Sequence, residues 1–288
     1  MNFVFSSIEQ GLIYAVLAMG VYISFKILNI PDMSVEGSFP FGAMVTALLL
    51  SKGVNPLLTT FIAMLSGLIP GIISSTVAIK LKISSLLSGI LTMTMFYTLN
   101  LKVTGRPNAP MARLTNIFSY ISTGNVYLDR IIVLAVIVVS LKLLLDWFFS
   151  TKAGYMLVST GDNESLVVAL GESPDKYKVI GLALANALVA LSGSLFAQSV
   201  RFADTQMGIG TLVIALASII IGDTMFRRGQ LKGTTMAIIG AIIYKIIGAL
   251  ALYVGLDTSD LKLVNALIVI IFIAYNNSYD KIKQKLMK

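Results

Sequence analysis

The sequence predicts an all-α fold, a polytopic membrane helical bundle of about eight to ten transmembrane helices with inverted repeats. Only 12% of the 288 residues are charged, 56% are hydrophobic, and the mean hydropathy is +0.86. A soluble domain carries about 25% charged residues, so this chain has too little polar surface to face water on all sides. Apolar runs also recur along the chain, and basic residues favour alternate connections between them.

Apolar runs broken by glycine, proline and charge define about nine candidate spans, because about 20 residues cross a bilayer as a helix. The runs at 36–50 and 207–222 are short for a straight crossing. The candidate spans are 8–25, 36–50, 56–79, 84–101, 131–149, 176–200, 207–222, 233–254 and 260–275.

The basic residues predict the orientation, since Lys and Arg concentrate in cytoplasmic connections. Most of the 22 basic residues fall in the connections 26–35, 80–83, 150–178 and 223–232 and in the tail 276–288. We therefore expect a multi-pass protein of the cell membrane, with its N-terminus outside and its C-terminus in the cytoplasm. The net charge of +8 is interpreted as topology rather than as nucleic-acid binding.

Two connections are too long to be simple turns. The outer one, 102–130, carries Gly-Arg-Pro-Asn at 105–108, and the inner one spans 150–175. Within the inner one, 161–171 has polar residues in its first turn, an apolar run and a closing glycine, the pattern of a short amphipathic helix. Membrane-surface helices favour Lys and Arg, and this segment has neither. A groove on a protein partner is therefore the preferred contact, and the membrane surface is the alternative.

The chain is interpreted as a single transmembrane domain, 1–288, with two related halves. Gly11-Leu-x-x-Ala15 recurs as Gly181-Leu-x-x-Ala185, and each copy is followed by a polar bend and a short span with glycine. Inverted repeats with interrupted helices are typical of transporters. The divisions are a first half-repeat (1–101), an extracytoplasmic connection (102–130), a linking span (131–149), a cytoplasmic loop (150–175) and a second half-repeat with its tail (176–288).

The bend at 29–40 places polar groups where a membrane helix resumes. Its polar and helix-breaking residues include Asn29, Asp32, Ser34, Glu36 and Gly37. Exposing such groups to lipid is costly, so the bend is predicted to face protein or a water-filled path. A capped turn that begins at Ser34 is an equally compatible interpretation.

Lys245 lies near the middle of another apolar span. A cation at that depth normally faces the bundle interior with a partner. We expect an interior structural role with a carboxylate partner. The alternatives are that the side chain extends to the membrane surface along its apolar stem or contacts a solute.

The sequence contains neither histidine nor cysteine. Imidazole bases, thiolate nucleophiles and most transition-metal sites are therefore excluded. The Walker sequence GxxxxGK[ST], which cradles nucleotide phosphates, is also absent from the sequence. We expect no catalytic residue and no metal site in this chain.

Two pairs of segments resemble a known family. Gly11–Gly20 with Ile27–Gly42 is similar to the start of permeases in the branched-chain amino-acid/ribose class of ABC importers. Asp162–Gly171 with Lys178–Gly193 resembles the coupling-helix region of that class and the span that follows it. Within the class, Gly105–Asn108 and Asp260–Lys262 are similar to a tryptophan/tyrosine-type subfamily.

The resemblance implies a permease subunit that forms the path for a small solute, expected to be an amino acid and, from the subfamily, an aromatic one. The implied partners are a second copy of the permease, a cytoplasmic ABC ATPase dimer, an extracytoplasmic solute-binding protein and the lipid bilayer. No nucleic acid is involved. ATP and Mg belong to the ATPase, so this chain is expected to have no cofactor and not to be an enzyme.

Three groups of site residues follow from position and resemblance, besides the intramembrane charge of Lys245. Contact with the binding protein is assigned to Arg106 and Asn108. Coupling to the ATPase is assigned to Asp162, Asn163, Glu164, Leu166, Val167, Leu170 and Gly171. The substrate path is assigned to Tyr14, Asn29, Asp32, Ser34, Glu36, Gly37, Asp204 and Gly208.

An ion-coupled secondary transporter of a small metabolite is the alternative function, since inverted repeats serve it equally. Such carriers need intramembrane carboxylates, for which Glu36 is the main candidate. A channel fits less well because no selectivity sequence is evident, and a membrane enzyme fits least because no nucleophile sits beside a base.

Overall fold

The computed structural model describes residues 2–121, 124–226 and 231–255, together with positions 263, 266, 267 and 270. Most of the candidate span 260–275, the basic tail and the Asp260–Lys262 segment lie outside the described residues. Within that part of the chain, six helices are long and apolar enough to cross a membrane, and two shorter apolar helices accompany them. The predicted helical, polytopic membrane fold is confirmed.

The first half of the chain forms five helices. The first begins at Asn2 and continues past Val21 as a π-helical segment, Tyr22–Ile27. Gly67 separates α3 from α4 within a single span, Pro56–Leu81. The helices are α1 (Asn2–Val21), α2 (Val35–Ser51), α3 (Pro56–Ser66), α4 (Leu68–Leu81) and α5 (Ser85–Thr104).

The described residues of the second half form six α-helices and show most of the differences from the predicted boundaries. The span predicted at 131–149 begins at Val126, because the Asn125 side chain accepts the Tyr127 N–H and caps the helix. The helices are α6 (Val126–Phe149), α7 (Lys152–Asp162), α8 (Glu164–Ala169), α9 (Pro174–Val200), α10 (Thr211–Phe226) and α11 (Gly233–Tyr253).

The connections define two faces of the bundle. Two three-residue strands, β1 (Asn108–Pro110) and β2 (Phe202–Asp204), pair antiparallel after α5 and α9, a small departure from an all-α fold. α8 precedes α9 and β2 follows it, and a 27-residue helix is about 40 Å long. The strands therefore lie at one membrane face, the strand face, and α7 and α8 lie at the other, the α8 face.

α1 and α9 form the centre of the bundle. Their spans are 72% and 78% buried, whereas the other four candidate spans are between 22% and 39% buried. The peripheral helices expose apolar side chains such as Leu143 and Leu144, as expected of surfaces that face lipid or another membrane protein.

α2 runs parallel to α9 along a seam of small and polar residues, which we call the α2–α9 seam. Ser38 bonds to Asn186, and Thr46 bonds to Ser194. Between these contacts, a Cβ on Gly42 would collide with the Ala190 carbonyl. Small residues every four positions let two membrane helices approach closely and exchange hydrogen bonds. The seam fixes the depth at which α2 begins, near the middle of α9.

Candidate functional site

Asp32 is the centre of a buried polar cluster where α2 begins, which we call the Asp32 cluster (Asp32, Ser34, Ser74 and Asn186). Its Oδ1 accepts the Ser34 N–H and the Ser74 hydroxyl, each at 3.0 Å. Its Oδ2 accepts the Ser34 hydroxyl at 2.6 Å and the Asn186 amide at 2.9 Å. The Ser34 side chain does not cap the helix. Asp32 therefore supplies the negative charge that favours a helix N-terminus, and its polar atoms are occupied by protein.

Glu36 performs a related role for a different helix. Its Oε1 accepts the Gly210 N–H at 2.9 Å, and its carboxylate also receives the backbone N–H of Leu212. These groups form the start of α10. A Cβ on Gly208 would collide with the Glu36 carbonyl, so only glycine allows this approach. The segment after β2 thus returns into the bundle, and α10 begins at the depth of the first turn of α2.

The other predicted path residues lie in different surroundings. Gly37 packs against α5 at Met93 and Phe96. Asn29 is exposed and donates to the Gly161 carbonyl at 3.0 Å. Asp204 is on β2 and accepts the Gln206 N–H at 2.7 Å. The structure therefore brings Asp32 together with Ser34, and Glu36 with Gly208, but it does not gather all eight residues around one space.

Lys245 faces the centre of the bundle, where its Nζ lies 3.4 Å from the ring centroid of Tyr14. Tyr14 packs in turn against Phe39 and Phe196. Among the described residues, the contact of this cation is an aromatic face rather than the expected carboxylate. A cation on an aromatic ring is a favourable arrangement in a low-dielectric interior.

The segment predicted as a single helix at 161–171 is divided between two helices. Asn163 has an extended backbone, which ends α7, and its side chain accepts the Ser165 and Leu166 N–H groups to begin α8. Gly171 ends the segment with a φ of +77°, a conformation that favours glycine. The division places Asp162 at the end of α7 rather than in the first turn of α8.

α8 presents an apolar surface away from the bundle. Leu166, Val168 and Leu170 are 48%, 61% and 56% exposed, whereas Val167 is fully buried. Val167 was assigned to the contacting surface by prediction, but it anchors α8 to the rest of the chain. Val168 takes its place on the exposed side, which sequence spacing alone did not identify.

One ion pair joins α8 to α9, and another joins α7 to the connection that follows α8. Lys178 Nζ lies 2.8 Å from Glu164 Oε1, and Lys152 Nζ lies 3.2 Å from Glu172 Oε1. The Lys152 ammonium, together with a hydrogen bond from Tyr177, lowers the pKa of the Glu172 carboxyl. A cavity of about 590 Å³ adjoins this site and is lined in part by Asn29, Asp162 and Glu164.

On the strand face, Arg106 and Asn108 are both exposed, and Asn108 begins β1. They are accessible to a partner at that face. Asn186 and Ser74 were not among the predicted site residues. For Asn186, the available signal was the four-residue spacing of Asn186, Ala190, Ser194 and Gln198, which marks a face of small and polar residues on an otherwise apolar helix.

A model of the family "Branched-chain amino acid transport system / permease component" matches residues 3–274. A tyrosine transport system permease protein from Clostridioides difficile is 42% identical over 278 residues, 96% of this chain and 92% of that protein. The ribose import permease protein RbsC from Haemophilus influenzae is 24% identical over 94% of this chain and 83% of its own.

Among solved structures, PsaBC from Streptococcus pneumoniae in complex with Fab superimposes with a TM-score of 0.52 at 20% sequence identity. The match covers 94% of this chain and 89% of that chain. At this identity the likeness supports the fold alone.

Proposed function

The chain belongs to the family of branched-chain amino acid transport system permease components and is thus a membrane permease subunit of the ABC importer type, and we propose that it imports an amino acid with the help of three partners. These partners are a second copy of the chain, a cytoplasmic ATPase dimer and an extracytoplasmic binding protein. The exposed apolar surface of α8 is the observation that carries the proposal.

The ATPase is assigned to the α8 face. Three apolar side chains, Leu166, Val168 and Leu170, are exposed in and just after a short helix that Val167 anchors to the rest of the chain. A short helix with an exposed apolar surface fits a hydrophobic groove on a soluble protein. The ion pair of Lys178 with Glu164 keeps α8 attached to α9, so that movement of α8 is transmitted to the centre of the bundle.

The binding protein is assigned to the strand face, where Arg106 and Asn108 are exposed. This assignment places the α8 face in the cytoplasm, in agreement with the distribution of basic residues. ATP and Mg bind the ATPase, and this chain contributes movement rather than chemistry.

The second copy is assigned to α5. Its span is only 28% buried, and its exposed residues include Thr94, Tyr97 and Thr98 as well as apolar side chains. Lipid-facing helices carry few polar groups, so this mixed surface favours a path between two copies. An amino acid is the proposed solute because the relative from Clostridioides difficile is named for tyrosine transport.

The test is co-purification of the ATPase with α8 variants. We expect Leu166→Asp and Val168→Asp each to reduce the ATPase retained per permease at least about tenfold, because a carboxylate cannot enter an apolar groove without a large desolvation cost. The permease content of the membrane fraction is expected to stay unchanged.

Leu81→Asp is the matched control. Leu81 is 65% exposed at the end of α4, on the same face but outside α8, and this variant is expected to retain the ATPase. Normal retention by both α8 variants would refute the coupling assignment.

A further inference from the structure

A second cavity, of about 540 Å³, opens at the α8 face beside the ends of the spans. It lies between the π-helical end of α1, the last turn of α6, α7 and the start of α11, and we call it the α6–α11 cavity. The lining residues used below are Phe149, Ser150, Val158, Lys232 and Thr234. This cavity is separate from the one beside α8 and has no role in the coupling described above.

One carboxylate and one ammonium group line the α6–α11 cavity, those of Asp146 and Lys232, and a second lysine, Lys142, pairs with the same carboxylate. Lys142 Nζ and Lys232 Nζ lie 2.7 Å and 3.3 Å from the same oxygen, Asp146 Oδ2. The Thr234 hydroxyl donates to Asp146 Oδ1 at 2.7 Å. One carboxylate therefore faces two ammonium groups. Asp146 has a side chain only 10% exposed, whereas that of Lys232 is 64% exposed, so the accessible charge at the cavity is the cation.

The walls of the cavity differ in polarity. Phe149 and Val158 provide apolar surface, while Ser150, Lys232 and Thr234 provide polar groups around the Asp146 carboxylate. Trp147 and Tyr155, which are 68% and 69% exposed, flank this region. Exposed Trp and Tyr beside lysines at the end of a membrane span mark the level of the lipid headgroups.

We propose that the α6–α11 cavity binds the headgroup of an anionic phospholipid. A phosphate would contact the Lys232 ammonium, and the first carbons of the acyl chains would lie along Phe149 and Val158. Basic pockets between membrane helices are suited to such headgroups, and the volume is within the range of small-molecule sites. The proposal requires only that the chain spans a membrane and does not depend on its role in import.

The test is native mass spectrometry of the purified chain after incubation with phosphatidylglycerol or with phosphatidylcholine of the same acyl chains. We expect the wild-type chain to retain phosphatidylglycerol preferentially. Lys232→Ala is expected to reduce this retention about fivefold, the effect of one basic residue near an anionic lipid surface. Lys232→Arg should keep it.

Two further variants test whether a loss of lipid retention comes from the site itself rather than from a lower positive charge or from misfolding. Lys152→Ala removes a cation that is 77% exposed, is paired with Glu172 and does not line the cavity, and it should leave lipid retention unchanged. Val158→Trp should reduce retention by filling the apolar wall while every charge stays in place.

Equal losses in Lys232→Ala and Lys152→Ala would refute the site, as would equal retention of phosphatidylcholine. Displacement of the lipid by inorganic phosphate or glycerol phosphate at matched concentrations would also refute it, because the site would then recognise a soluble anion.

Discussion

Two short helices, α2 and α10, begin inside the bundle, but the chain stabilises their first turns in different ways. The start of α2 is held by Asp32, which is two residues before Ser34 and accepts four hydrogen bonds from its surroundings. The start of α10 is held by Glu36, a residue of α2 itself, through the backbone of Gly210 and Leu212. Each of these two short helices therefore has a carboxylate group at its N-terminus inside the bundle.

The difference shows which of the two first turns is held in place independently of the other. The Asp32 cluster joins α2 to α4 and α9, two helices that surround it on separate sides. The α10 contact depends on one carboxylate and on a glycine at position 208. The bend before α2 is therefore a fixed anchor. The bend before α10 keeps its position only while α2, which carries Glu36, keeps its own.

The largest effect is expected when the anchor is removed. Asp32→Leu removes the acceptor of four buried hydrogen bonds. The Ser34 hydroxyl can still donate to Asn186 Oδ1, so three donors are left without an acceptor. Each unsatisfied group costs about 1–3 kcal/mol, and partial relaxation leaves an expected loss of at least about 3 kcal/mol in the free energy of unfolding. Denaturation of the purified protein in detergent would measure this loss.

Asp32→Asn is the control, since its side-chain oxygen still accepts the Ser34 N–H or the Ser74 hydroxyl. We expect it to lose less than half as much stability. Equal losses in the two variants would contradict the role of Asp32 as an acceptor of several bonds.

A smaller and more local effect is expected at the second bend. Glu36→Ala removes the acceptor at the start of α10, and loss of a helix cap costs about 1 kcal/mol. Hydrogen exchange should become faster at Gly210–Leu212, while the first turn of α2 stays protected. Glu36→Gln keeps an acceptor and should show a weaker effect. Faster exchange in both first turns would show that the two bends are not independent.

The smallest effect is expected in the α2–α9 seam. The Thr46 hydroxyl donates to the Gly42 carbonyl and shares a further hydrogen bond with the Ser194 hydroxyl, each at 2.7 Å. Thr46→Val replaces the hydroxyl with a methyl group and keeps nearly the same side-chain shape. Hydrogen bonds between membrane helices contribute about 0.6 kcal/mol each to stability on average. Thermal unfolding should change little. A loss as large as that of Asp32→Leu would overturn the ranking of the two sites.

Much of this architecture was predictable because it depends on local sequence. The short spans, the polar bend before α2 and the glycine that ends the α8 segment follow from helix-breaking residues and charge. The start of α9 at Pro174 is close to its predicted position, since proline suits the first turn of a helix.

Contacts between distant residues were not predictable in the same way. The bond between Asp32 and Asn186 joins positions 154 residues apart, and a single sequence carries no signal for that pairing. The position of Lys245 in an apolar span showed that burial of its ammonium group is costly. It did not show that the partner of this group is the ring of Tyr14. The boundary at Asn163 was missed because a side-chain cap in mid-segment has the same composition as a continuous helix.

The α2–α9 seam also limits how the protein can change shape. Its contacts repeat every four residues, so an alternative register would require α2 to slide along α9 by about 6 Å, slightly more than one helical turn. Intermediate positions would drive side chains into the carbonyls that Gly42 now approaches. α2 and α9 should therefore travel as one rigid body, and rearrangements during a working cycle are left to the helices outside that pair.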